Sequence, residues 1–296
     1  MDAAGRFIEP RPSHGAAGAG CALGVMSRAP RAGAAKTRLV PPLTPAEAAA
    51  LSACFLRDTA ANVSVAAASA AVRAAGGAEC VCVFTPADAA AELATLLPDA
   101  CRLLAQRGAD LTARLRHATE DLLRAGYASL CLLNADSPTL PRAALTAAVV
   151  ELARPSDRVV LGPARDGGYY LVGLKRAHAR LFADIEWSTP RVLAQTRARA
   201  AELRLEVSLL PEWYDVDAAA SLADLCAELF ATPRAATSAP ARDGASASPR
   251  EDANSPSGAH VATLHGYAAP HTRAYLERLL ARADRARIWP GASPSR

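Results

Sequence analysis

Ala128-Ser129-Leu130-Cys131-Leu132-Leu133 runs into Asn134-Ala135-Asp136-Ser137-Pro138-Thr139-Leu140-Pro141, and then into apolar residues at helical spacing over 142–152. The reading of this stretch decides the fold. An unbroken apolar run of strand length is buried on both faces, as strands of parallel sheets are. Asp136, Pro138 and Pro141 then force a turn into the helix that follows. The same alternation extends in both directions. Strands are predicted at 22–27, 79–84, 100–104, 128–133, 158–161, 169–174 and 206–210, and helices at 45–60, 111–125, 142–152, 190–203 and 218–229. The helix from Pro45 has a capping box, with Thr44 as cap and Glu47 reaching back. Strands alternating with amphipathic helices predict one α/β domain over 21–231 with a central, mostly parallel sheet.

The flanks read differently. Residues 1–20 are rich in Ala, Gly, Pro and Arg without periodicity and predict a disordered leader, while 232–260 reads as a linker. A basic tail, 261–296, has one candidate helix over 271–287 and reads as a solvated element. The chain has 296 residues, of which 51% are hydrophobic but only 5% aromatic, so the core is built from many small side chains. No apolar run is long enough to span a membrane, and residues 15–26 lack the cationic start of a secretory signal. A net charge of +4 is too balanced to announce nucleic-acid binding. The seven cysteines form no C-x-x-C pair and lie mostly in apolar runs, which fits buried thiols in a reducing cytoplasm.

Four segments carry candidate chemistry. Arg28, Arg31, Gly33, Lys36, Thr37 and Arg38 lie in a loop after the first strand, where open α/β sheets bind ligands. Glycine lets backbone N–H groups approach an anion and the cations offset phosphate charge, although a solvated basic loop has the same composition. Asp136, at a strand's carboxyl end, can hold a hard divalent cation or only cap a turn. Asp166-Gly167-Gly168 before Tyr169 and Tyr170 reads as a hairpin turn or as backbone approaching a sugar or nucleotide. Asp215 and Asp217 fall on one side of an extended segment, so one can ligate metal while the other caps a helix. A phosphorylated nucleotide needs cations, and a bridging Mg²⁺ or Mn²⁺ needs separated carboxylates.

In this order the segments become recognisable. The first keeps Pro30, Gly33, Lys36, Thr37, Arg38 and Leu39, with Arg28 in place of a lysine. Gln106, Gly108, Asp110, Leu111, Arg114 and Leu115 follow, with Thr112 in place of a glycine. Asp136, Ser137, Pro138, Leu140 and Pro141 come next, with Asn134 in place of a glycine. Gly162, Pro163, Asp166, Gly167, Gly168, Tyr169, Tyr170 and Leu171 lead to Trp187-Ser188-Thr189 and Asp215-Val216-Asp217. Over 21–230 the chain resembles the glycosyltransferase-A-like family of radical-SAM/selenodomain-associated transferases, a domain of unknown function related to cofactor guanylyltransferases.

The resemblance implies a three-layer nucleotide-diphospho-sugar transferase fold. It implies a metal-dependent transferase in which Arg31, Gly33, Lys36, Thr37, Arg38 and Asp136 bind the nucleotide. Asp136 and Asp217, with Asp215 as a further candidate, would hold Mg²⁺ or Mn²⁺. Asp166, Trp187 and Ser188 are the candidates for acceptor orientation or proton transfer. The donor is expected to be a nucleotide sugar and the acceptor a small molecule. The same groups serve a nucleotidyltransferase that takes an NTP and releases pyrophosphate. A non-catalytic nucleotide-binding or scaffold protein is a third reading, supported by the replacements at Arg28, Thr112 and Asn134.

Overall fold

The computed structural model describes residues 6–8, 20–230 and 265–290. Among these, seven strands form one sheet: β1 (Cys21–Arg28), β2 (Ala78–Thr85), β3 (Arg102–Ala105), β4 (Ser129–Asn134), β5 (Arg158–Pro163), β6 (Tyr169–Leu174) and β7 (Glu206–Leu209). Their order is β3-β2-β1-β4-β6-β5-β7. All neighbours are parallel except β6, which runs antiparallel to β4 and β5. The helices are α1 (Pro45–Ala67), α2 (Ala70–Ala74), α3 (Ala90–Ala94), α4 (Leu111–Arg124), α5 (Arg142–Leu152), α6 (Val192–Glu202), α7 (Ala219–Phe230), α8 (Pro270–Leu279) and α9 (Arg285–Ile288), with a π-helical turn, Leu280–Asp284, between the last two.

The expected α/β architecture is present, with every predicted strand in its place. The short helices α2 and α3 were not expected, and α1 runs to Ala67 instead of ending near residue 60. Its apolar stripe continues through Val63 and Ala66, both wholly buried, with no glycine or proline to stop it. The capping box at Thr44 and Glu47 forms as predicted.

Apolar side chains cover both faces of the sheet. Leu23, Val25, Phe84 and Leu133 pack toward α1 and α5, and Val81, Leu130, Leu161 and Val172 toward the other face with Leu115 and Leu122 of α4. A third cluster joins Leu39, Leu51 and Phe55 to Leu222 and Leu225 of α7, and to Leu276, Leu279 and Ile288 of the carboxyl-terminal segment.

That third cluster corrects the reading of the tail as a solvated element. Asp58 of α1, wholly buried, accepts the backbone N–H groups of His271 (3.1 Å) and Thr272 (2.7 Å) at the start of α8. The helix's own N-cap is Ala269, which offers no side chain to these donors. The leader also needs correction over Arg6–Ile8. Phe7 bridges to Leu103, and the Arg6 guanidinium donates to the carbonyls of Cys101 (2.9 Å), Ala94 (3.2 Å) and Pro98 (2.7 Å). Residues 1–5, 9–19 and the predicted linker 232–260 lie outside the described residues. No helix among the described residues is long and apolar enough to cross a membrane.

The topology gathers the candidate segments at one end of the sheet. The carboxyl ends of β1 and β4 lie side by side, with Met26 opposite Asn134. Because β6 is antiparallel to β4, its beginning, Tyr169–Tyr170, arrives at the same end.

Candidate functional site

The loop after β1 turns inward at Lys36, whose φ of 50° and ψ of 41° lie in the left-handed region. Its side chain is only 6% exposed. The ammonium lies 2.8 Å from Asp136 Oδ1 and 2.7 Å from Asp217 Oδ1, and it donates to the Val216 carbonyl at 2.7 Å. The two acidic segments are also joined by backbone, since Val216 N–H donates to the Asp136 carbonyl at 2.9 Å. Sequence reasoning put Lys36 against phosphates and the two aspartates around a metal. In the structure these three groups hold one another.

Asn134 positions Asp136. Its side-chain Oδ1 accepts the Asp136 N–H (3.3 Å) and the Ser137 hydroxyl (3.1 Å), so the amide organises the turn that a glycine would only permit. Burial pulls the Lys36 pKa down, but Asp136 and Asp217 outweigh it and the net direction is up. Burial likewise pushes the Asp136 carboxyl up, with Lys36 opposing and Asp217 adding to the rise. Burial pushes Asp215 up to about 6, helped by the charges of Asp217, Asp166 and Asp136.

Two cavities open here and share a wall. The first, of about 240 Å³, is lined by Arg28, Lys36, Thr37 and Arg38, with Ser27, Ser52, Asp136 and Asp217. The second, of about 220 Å³, has the carboxylates of Asp166, Asp215 and Asp217, the rings of Tyr169, Tyr170 and Trp187, and a floor of Leu111, Leu115, Leu132 and Leu133. Met26, Arg38 and Asp217 belong to both.

Arg31 is not brought to the site. It reaches outward to Glu92 (3.1 Å) and Asp88 (3.5 Å), and the first cavity is lined by Arg28 instead. Gly33, exposed and with φ +75°, shapes the loop but does not line either cavity. Asp166 lines the second cavity while its Oδ1 accepts Gly168 N–H at 2.8 Å. Gly167 is required beside it: its φ is +88°, and a Cβ would lie 2.3 Å from the Pro190 carbonyl oxygen. Ser188 lines the same cavity with φ 62°, and Trp187 packs edge-on against Tyr169 with ring centroids 6.3 Å apart.

Thr112, one of the three replacements on which the scaffold reading rests, has a structural task that the sequence does not signal. Its hydroxyl accepts the Trp187 indole N–H at 2.8 Å and so fixes the aromatic wall. Neither this contact nor the outward turn of Arg31 carries a local signal, because each partner is remote in sequence.

The donor set can be tested against the implied divalent ion. Two carboxylates and a carbonyl, all hard oxygen donors, converge on the point that the Lys36 ammonium fills. Among the described residues no group of three or more His, Cys, Asp or Glu side chains could hold a metal. Two carboxylates nevertheless suffice for Mg²⁺ or Mn²⁺ when substrate phosphates and water complete the shell. The residues fit such an ion.

Residues 67–189 match the model of a family described as an uncharacterized protein conserved in bacteria (DUF2064). A crystal structure from Desulfovibrio desulfuricans G20, provisionally named a nucleotide-diphospho-sugar transferase, is 28% identical. It covers 74% of this chain and 90% of its own, with a TM-score of 0.61. Lower similarity is found to CMP:2-keto-3-deoxy-manno-octonic acid synthetase complexed with CTP (12% identity, 70% of this chain, 97% of that one, TM-score 0.44). Rv0371c of Mycobacterium tuberculosis H37Rv, solved with manganese, is 19% identical over 67% of this chain and 92% of its own, with a TM-score of 0.39. No curated protein matches the chain. The fold is the mostly parallel α/β fold of the nucleotide-diphospho-sugar transferases.

Proposed function

We propose that the chain is a metal-dependent glycosyltransferase that uses a nucleotide-diphosphate sugar. One observation carries this reading: the crevice divides into a cationic half and an acidic, aromatic half that meet at Arg38 and Asp217. The donor's diphosphate fits the first half, where Arg28, Lys36 and Arg38 offset its charge and Thr37 adds a hydroxyl. The acceptor fits the second, on the leucine floor against Tyr169 and Trp187. An acceptor hydroxyl attacks the sugar's anomeric carbon while the bond to the diphosphate breaks, and the nucleoside diphosphate leaves with that electron pair. Asp166 or Asp215 takes the hydroxyl proton, and Ser188 orients the acceptor. Asp136 and Asp217 would hold Mg²⁺ or Mn²⁺, which when bound supplies charge stabilisation to the leaving diphosphate.

The second cavity weighs against nucleotidyl transfer to a sugar phosphate, since three carboxylates there would repel an anionic second substrate. The replacements behind the scaffold reading have tasks in this crevice: Arg28 lines the donor half, Asn134 holds the Asp136 turn and Thr112 fixes Trp187. Free thiols at all seven cysteines support a reducing cytoplasm as the place of reaction.

The test is product analysis. The chain is incubated with Mn²⁺ and a panel of UDP- and GDP-sugars, and in parallel with the four NTPs. Release of nucleoside diphosphate from a sugar donor is expected. Pyrophosphate release from an NTP, with no sugar donor consumed, would replace this reading by nucleotidyl transfer.

A further inference from the structure

The carboxylate pair of the crevice already has a cation. An ammonium carries three protons and accepts nothing. At Lys36 those protons face three oxygens at 2.7–2.8 Å: Asp136 Oδ1, Asp217 Oδ1 and the Val216 carbonyl. The Phe55 ring lies 5.5 Å from the nitrogen and encloses the ammonium further. No proton is left over for a phosphate. Lys36 has left-handed backbone and a side chain that turns inward, while residues 31–34 and 37–38 of the same loop are exposed.

Two ligands therefore compete for parts of one knot. A divalent ion entering alone needs the oxygens that Lys36 holds, and it would lie beside a buried ammonium of like charge. A diphosphate entering alone can engage Lys36 only by drawing it off, which leaves Asp136 and Asp217 facing each other next to new negative charge. Neither exchange is favourable by itself. Together they balance: the ammonium goes to the phosphates, and its oxygens go to an ion that prefers them at about 2.0–2.1 Å.

We propose that Lys36 is the resident cation of the Asp136–Asp217 pair, so that divalent ion and nucleotide are admitted only together, with Lys36 passing from the carboxylates to the phosphates. The proposal rests on the reading of the crevice as a nucleotide and metal site. It goes beyond that reading by setting the terms of admission: metal and nucleotide each raise the other's affinity, and Lys36 carries the coupling.

The experiment measures Mn²⁺ binding to the full chain by loss of the free-ion paramagnetic resonance signal, without turnover. Wild type, Lys36→Met and Lys36→Arg are compared with Mn²⁺ alone. Lys36→Met is expected to bind the ion at least about tenfold more tightly than wild type, within the usual 5–150-fold range of couplings. Lys36→Arg, which keeps the cation, should behave as wild type. Equal affinity of wild type and Lys36→Met for Mn²⁺ alone overturns the proposal. UDP and GDP are then added, with a correction for their own complexes with Mn²⁺. Wild type should show mutual enhancement, and Lys36→Met should lose it.

Thermal melting checks that Lys36→Met is folded. If it is not, Lys36→Gln takes its place with the same expectations, and tight Mn²⁺ binding by wild type without nucleotide overturns the proposal. If Lys36→Met gains Mn²⁺ affinity while neither protein binds UDP or GDP, the nucleotide reading of the crevice fails and the resident-cation assignment stands.

Discussion

Asp58→Ala tests whether the carboxyl-terminal segment is part of the domain. The carboxylate is wholly buried, and each oxygen takes one backbone N–H of α8, from residues 213 and 214 positions away. Hydrogen bonds to a charged partner contribute about 1.5–3 kcal/mol each, offset here by the cost of burying the charge. Alanine removes both acceptors and leaves two N–H groups at a packed helix start, as the loss of an N-cap does at about 1 kcal/mol. A destabilisation of about 3 kcal/mol follows, or roughly 6–12 °C in Tm for a domain of this size. Guanidinium unfolding followed by far-ultraviolet circular dichroism measures it. The reasoning also demands that the effect vanish in a chain ending at residue 230, where α8 is gone and the carboxylate has nothing to cap. A cost below about 0.5 kcal/mol in the full chain, within the range of ordinary surface substitutions, would refute it. So would an equal cost in the shortened chain.

Asp136→Asn should lower metal-dependent turnover by about two to three orders of magnitude with little change in Tm, measured as nucleoside diphosphate release. Thr112→Val removes the acceptor of the Trp187 indole N–H; it should shift tryptophan emission and cost about 1 kcal/mol in unfolding experiments. For Glu47, burial raises the pKa but the bonds from Arg287 and Thr44 outweigh it, so the folded value lies below the ordinary one. Its contribution to stability is therefore full above the unfolded value of about 4.3 and is lost as pH falls through the folded one. The stability gap between wild type and Glu47→Gln should shrink between about pH 5 and pH 3 in urea titrations, and a constant gap would remove the Arg287 contact from the account.

The sheet was legible because its signals are local. Each buried strand is an apolar run bounded by turn residues, and each covering helix has its own period, so Leu130–Leu133 and Val159–Leu161 announce themselves without their neighbours. The gathering of Lys36, Asp136 and Asp217 was legible at one remove, from the order of segments at strand ends. What that order could not give is side-chain direction. Arg31 and Lys36 lie five positions apart in one basic loop, yet one pairs outward with Asp88 and Glu92 while the other turns in at a left-handed φ. The difference depends on acidic partners 57, 61 and 181 positions away. Likewise, Asp58 falls in the predicted helix over 45–60 and Asn62 just beyond it, and nothing local marks either as buried. Their burial follows only once α8 and the Asp136 loop are in place.

Those two residues, with Thr59, explain why the tail and the crevice belong to one structure. All three are at most 3% exposed, at a spacing that makes a polar stripe along α1. Asp58 caps α8. Thr59 reaches the Ala135 carbonyl at 3.5 Å, and Asn62 donates to the Leu140 carbonyl at 2.7 Å, on either side of Asp136. From the tail, Tyr267 N–H donates to the Thr139 carbonyl at 2.9 Å. Gly266 fits so closely that a Cβ would lie 2.3 Å from Glu228 Oε1. Glu228 in turn accepts from the hydroxyls of Thr139 and of Tyr214, the residue before Asp215. The turn bearing Asp136 and the segment leading to Asp217 are thus braced from one side by α1 and from the other by the carboxyl-terminal segment. Two carboxylates repel each other, and a single lysine can hold them at hydrogen-bonding distance only if the backbones behind them cannot retreat. The polar stripe of α1 and the docked tail supply that resistance, so the tail contributes to the electrostatics of a crevice it does not line.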